Sequence, residues 1–281
     1  VLALGCACGY LLGGRYPMEW APVDAGEHSG VEESKARLLA LGVPDYVLND
    51  LTAEDLAACD GAILVVVDVD DYPVNSGRRV SHSYWIGGER HTNIHTVYDV
   101  KELRITGVGV ELPGERWMLI QHFLWTTPPG FCGTESIQLW PAYRAGMEGW
   151  RSGGALTGRV LYDEGGQTYA APYCFLGEQT FAYDSLFWGQ QIRDDLFAAF
   201  SLPRDGENCR GYVAYPIERV RDGYIVDGWF NYTHQQSWMQ YPVMTAMENQ
   251  MTNGWNWEGV FYEVSTALQF YQNEEGVRLL G

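Results

Sequence analysis

The sequence predicts a mainly β protein, a β-sandwich or open barrel of antiparallel hairpins, with short helices at its N-terminal and C-terminal ends. Three observations carry this. Runs of β-branched and aromatic residues, each of strand length, recur from Ala62 onward. Turn pairs fall between those runs: Pro113-Gly114, Gly165-Gly166, Asp205-Gly206 and Asp222-Gly223. Apolar residues at helical spacing are confined to the stretches before and after.

In chain order, residues 1–15 read as a truncated hydrophobic anchor or signal remnant. The run from Val1 to Gly14 carries no charge before Arg15. It is shorter than the ~20 apolar residues of a spanning helix and suits the tail of one, or the apolar region of a signal peptide. Residues 16–30 mix Pro, Gly and acids without periodicity and read as a linker.

Residues 31–61 form a small helical entry. Glu32 to Leu41 has helical character, Pro44 separates it from the next segment, and Thr52 with Asp55 resembles a capping box opening a helix through Cys59. Gly61 stops it. Residues 62–281 are then read as one β-rich globular domain.

Within that domain the expected hairpins pair Leu103–Val110 with Trp117–Trp125, Gly158–Tyr162 with Gln167–Ala171, and Leu196–Leu202 with Gly211–Tyr215. The last is expected to continue through Asp222-Gly223 to a strand over Tyr224–Thr233. At the C-terminal end, Pro242 with Val243, Met244, Met247 and Met251 predicts a helix, and Val264 to Tyr271 a final short one.

Charge narrows the function. Lys and Arg number 18 against 36 Asp and Glu, a net charge of -18, so nucleic acid and anionic membrane surfaces are repelled. Neutral sugars, cationic groups and metal ions stay compatible. The acidic β-rich body behind an apolar N-terminus is expected outside the cytoplasm, at the cell envelope, with membrane contact through that segment alone. Four cysteines of the body, Cys59, Cys132, Cys174 and Cys209, are expected as buried thiols, with two disulfides the alternative.

The candidate ligand-binding residues come from alternation. In the strand after Asp222-Gly223, Asp227, Trp229, Asn231 and Thr233 share one face, while Val226, Phe230, Tyr232 and His234 share the other. Acid, indole, amide and hydroxyl are the ingredients of a sugar site: a flat apolar surface for the ring and directional groups for its hydroxyls. An ordinary solvent-facing strand is the competing reading. Ser136, Gln138 and Trp140 repeat the pattern, and the two strands would form one platform if adjacent.

Other constellations are weaker. His91 and His95 fall in strand-like sequence, about 13 Å apart and too far for one ion. His122 and His234 read as hydrogen-bonded core histidines. Asp68, Asp70 and Asp71 read as a solvated strand exit, with a calcium site the minor alternative. No metal or cofactor is expected, and nucleophile, Walker and dinucleotide motifs are lacking. The expected function is a membrane-tethered extracytoplasmic binding or structural domain whose partner is a glycan or an envelope protein. The alternative is a carbohydrate-active enzyme using two carboxylates drawn from Glu111, Glu135 and Asp227.

Overall fold

The computed structural model describes residues 17–72, 81–91, 102–144, 150–185, 189–219, 225–235, 262–273 and 276–279. The hydrophobic run 1–15, His95 and the helix expected from Pro242 lie outside the described residues.

Three helices come early: α1 (Glu32–Ala40), α2 (Asp45–Asp50) and α3 (Ala53–Ala58). One sheet, A, is built from β1 (Ala21–Pro22), β2 (Leu64–Tyr72), β3 (Ser81–Ile86), β4 (Glu89–His91), β5 (Leu103–Leu112) and β6 (Arg116–Trp125). It also holds β8 (Trp150–Ser152), β9 (Thr157–Glu164), β10 (Gln167–Ala171) and β13 (Glu207–Arg219). The other, sheet B, holds β7 (Thr134–Arg144), β11 (Cys174–Ser185), β12 (Gly189–Ser201), β14 (Ile225–His234), β15 (Tyr262–Asn273) and β16 (Gly276–Leu279).

Strand order is β1-β10-β9-β13-β6-β5-β2-β3-β4 in sheet A, with β8 beside β13, and β11-β12-β7-β14-β15-β16 in sheet B. Every pairing is antiparallel. The two sheets pack face to face as a β-sandwich. Trp117 meets Phe270 at 4.4 Å between ring centroids, and Phe123 stacks on Phe200 at 5.3 Å. These rings belong to one apolar cluster that draws Val66, Ile105 and Leu119 from sheet A and Ile137, Leu139 and Phe230 from sheet B.

The sheets approach closely where glycine removes a side chain. A Cβ on Gly109 would lie 3.3 Å from both the Phe270 and Trp117 rings, and one on Gly107 would lie 3.2 Å from the Leu268 Cβ. Large rings from both sheets interdigitate across these gaps, as close packing requires.

A second cluster lies on the opposite face of sheet A. Leu38, Val47, Leu48, Leu51 and Leu56 of the helical segment pack on Val65, Val67, Val108, Val110 and Ile120. Alternate residues of β2, β5 and β6 therefore serve two cores, one against sheet B and one against the helices. That explains why the Ile63–Val67 run is apolar without a break. Residues 17–30, read as a linker, lie against the same sheet: β1 pairs with β10, and the Trp20 ring meets Tyr162 edge-on at 4.8 Å.

Two expected hairpins form as read, β5 with β6 and β9 with β10. The third does not. β12 pairs with β11 and β7 in sheet B, whereas β13 lies between β9 and β6 in sheet A. The five residues 202–206 join different sheets across the core. Likewise β14 pairs with β7 and β15, not with β13. A turn pair signals a change of direction, and the apolar face of the next strand decides which sheet receives it.

The short helix expected over Val264–Tyr271 is instead β15, paired along its length with β14. Leu268 and Phe270 are buried with Gln269 less so between them, which is the period of a strand. Asp68, Asp70 and Asp71 are not a solvated exit. They lie inside β2 and are buried, because the strand stays in register with β5 as far as Tyr72 opposite Leu103. The Arg104 Nε donates to Asp71 Oδ1 at 2.8 Å.

Candidate functional site

Sheet B brings the two Trp-bearing strands together. β7 and β14 are hydrogen-bonded neighbours, with Trp140 opposite Trp229, Gln138 opposite Asn231 and Ser136 opposite Thr233. Directly opposed residues of an antiparallel pair occupy the same face about 5 Å apart. Five of the six candidate residues thus form three consecutive rungs of one ladder, completed by Ser136. Asp227, the sixth, is two residues beyond Trp229 at the same parity, opposite Gln269 of β15.

The rungs extend sideways. Phe197 of β12 stands opposite Gln138, and Ser265 of β15 opposite Asn231. The alternate positions, Ile137, Leu139, Phe230 and Tyr232, fill the core between the sheets.

An open, solvent-facing platform was the expectation for this face, and burial corrects it. Ser136, Asn231 and Thr233 are buried, at 1%, 8% and 8% exposure, and Gln138 is half-buried. Among the described residues, the Asn231 carboxamide oxygen, Oδ1, has no hydrogen-bond partner. A buried acceptor left unpaired costs about 1 to 3 kcal/mol. Native proteins rarely leave such a group without a water, ion or ligand to satisfy it.

The carboxylates proposed as a hydrolytic pair do not gather. Glu135 is fully buried on the core face of sheet B, where His234 Nδ1 lies 2.8 and 3.0 Å from its two oxygens. Asp227 occupies a position of the opposite parity, on the other face. Glu111 accepts a hydrogen bond from Gln272, whereas the Glu135 rung continues through His234 to Tyr262. Ten residues of β15 between Tyr262 and Gln272 place them about 33 Å apart along the strand.

A second polar constellation, centred on Asp50, lies between the helices and sheet A. Asp50 ends α2 and is 2% exposed. Its Oδ2 lies 2.8 Å from His122 Nε2, and its Oδ1 accepts from Arg210 Nε at 2.7 Å. Arg159 Nε donates to the Asp50 carbonyl at 2.9 Å, and its guanidinium forks onto Glu27 at 2.6 and 2.8 Å.

Next to it, Asp55 accepts from Thr157 Oγ1 at 2.6 Å and from the Tyr212 hydroxyl. The Tyr212 oxygen in turn accepts the Thr52 backbone N–H at 3.0 Å. Thr52 caps α3 by accepting the Asp55 N–H at 3.1 Å, as the sequence predicts. Its own N–H is satisfied by sheet A rather than by the helix.

Electrostatics follow the geometry. Burial raises the Asp50 pKa, but the hydrogen bond from His122 and the positive charges of His122 and Arg210 outweigh it, so the carboxyl sits below its ordinary value. Burial also disfavours the Arg210 charge, and Asp50 more than restores it. The Tyr212 hydroxyl is raised by burial and by Asp55 beside it.

Sequence reading anticipated His122 and His234 as hydrogen-bonded core histidines, and both are. It missed Asp50, Asp55, Arg159 and Arg210. The available signal was polar residues at the helix-facing parity of otherwise apolar strands: Thr106, His122, Arg159, Arg210 and Tyr212 all occupy such positions.

Among the described residues no group of three or more His, Cys, Asp and Glu side chains is arranged to hold a metal ion. None of the described helices is long and apolar enough to cross a membrane. No protein-family model matches the chain, and no curated protein sequence matches it.

Proposed function

We propose that this protein is a binding domain of the cell envelope, tethered through its apolar N-terminus with the body outside the cytoplasm. In this reading it holds a neutral, hydroxyl-rich ligand of the glycan class across β7 and β14. The observation that supports it most is the ladder in which Trp140 opposes Trp229 and Gln138 opposes Asn231, with the buried Asn231 oxygen unpaired.

Two indole positions on one rung suit the apolar face of a sugar ring. The amides one rung along suit its hydroxyls, because they both donate and accept. The burial of Asn231 and Thr233 makes the site recessed rather than an open platform. The net charge of -18 favours an uncharged ligand over an anionic one.

Glycan-array binding followed by affinity-gel retardation tests this. Trp140→Ala and Trp229→Ala are each expected to weaken retention by roughly tenfold, the equivalent of about 1.4 kcal/mol. Asn231→Ala is expected to do the same. Undiminished retention of the Trp140→Ala/Trp229→Ala double variant would remove this site, and an array on which the wild type binds no glycan would remove the reading.

A further inference from the structure

We propose that Cys132 and Cys209 are a redox pair, forming an internal disulfide between the two sheets when the protein meets a disulfide oxidant. This goes beyond the ligand site, from which it is independent.

The two residues converge at one end of the sandwich. Cys209 immediately precedes the Arg210–Leu124 rung of sheet A, level with Trp125 at the end of β6. The Trp125 ring meets the His234 ring at 5.0 Å, and His234 stands opposite Glu135 near the start of β7. Cys132 lies two residues before Thr134, the first residue of β7, whose N–H is held by Gln235 Oε1 at 3.0 Å. Cys209 is part of the apolar cluster between the sheets, and Cys132 packs against that cluster.

Neither residue is in a disulfide. Each thiol rests on its own chain: Cys132 Sγ donates to Pro129 O at 3.9 Å and Cys209 Sγ to Gly206 O at 3.7 Å. Such weak local contacts are easily exchanged for a covalent bond. The Cys209 thiol is pushed up to about 12, first by burial, then by Cys132 and Glu135 near it. Cys132 is half-buried and Cys209 buried, so the two have different roles.

Cys132, as thiolate, attacks oxidised glutathione and expels one glutathione thiolate. Cys209 then displaces the second glutathione from Cys132, its proton passing to the departing thiolate. One glutathione disulfide and two protein thiols become one protein disulfide and two glutathione thiols. The bond joins the entry to β7 in sheet B to β13 in sheet A.

The folded chain is incubated with oxidised glutathione, quenched with acid, alkylated under denaturation and digested with trypsin. Cys132 falls in peptide 117–144, Cys209 in 205–210 and Cys174 in 160–193. The expected product is a crosslink between the first two peptides, lighter than their summed thiol forms by about 2 Da. Cys209→Ser is expected to leave glutathione on Cys132. Both cysteines recovered as alkylated thiols from the wild type would overturn the proposal, as would a crosslink from Cys132 to any other peptide. The wild-type map decides it even if a variant fails to fold.

Discussion

Asp50 and His122 lie 72 residues apart in sequence and 2.8 Å apart in the structure, both almost wholly buried. One ends a helix of two turns or fewer, the other sits mid-strand, and Arg210 holds the remaining oxygen of the same carboxylate. The charge of Asp50 is therefore fully invested in joining the helical layer to sheet A.

The first prediction concerns acid. Asp50 has a folded pKa below its ordinary 3.8. Its contribution to stability is thus present above the unfolded value and is lost as pH falls through the folded one. Denaturation midpoints measured from pH 7 downward are expected to fall further below pH ~4 in the wild type than in Asp50→Asn. At neutral pH that variant is expected to lose about 3 to 5 kcal/mol, because His122 and Arg210 lose a buried charged partner. An equal acid response in both proteins would show that other carboxylates carry it.

Tyr212 gives a prediction at the other end of the scale. Its hydroxyl donates to Asp55 and accepts from Thr52, so Tyr212→Phe leaves two buried groups short of a partner. Urea denaturation is expected to show a loss of about 1 to 3 kcal/mol. The folded tyrosine holds its proton above the ordinary value of 10.0, so native stability falls as pH rises past that value. The Phe variant should lack this part of the alkaline loss.

Arg159 ties three pieces of chain: Glu27, and the carbonyls of Asp50 and Leu51. Lysine keeps the charge but not the planar fork. Arg159→Lys is expected to loosen residues 17–30 from sheet A, raising hydrogen exchange there severalfold while β5 and β6 stay protected. Uniform exchange change across the chain would contradict so local a role.

Much of the fold was legible. The Pro113-Gly114 and Gly165-Gly166 hairpins, the Thr52 cap and the interior histidines come from turn chemistry, side-chain competition for backbone N–H groups, and strand parity. These rules act within a few residues. The routes of β13 and β14 were not legible, since Asp205-Gly206 looks the same whether the next strand turns back beside its predecessor or crosses to the other sheet. The Val264–Tyr271 segment reads as helix or strand by itself, and pairing with β14 decided it.

The candidate site divides in the same way. Alternation alone placed Asp227, Trp229, Asn231 and Thr233 on one face and Gln138 and Trp140 on another strand's equivalent face. This local order, the β class and the acidic charge are written in the amino acids themselves. That β7 and β14 are neighbours, that Asn231 is buried with its oxygen unpaired, and that Asp50 meets His122 and Arg210 emerge only when the chain is folded. The reason is physical. Parity is set by the period of a single strand, whereas register and buried charge pairing depend on which distant segments share a core.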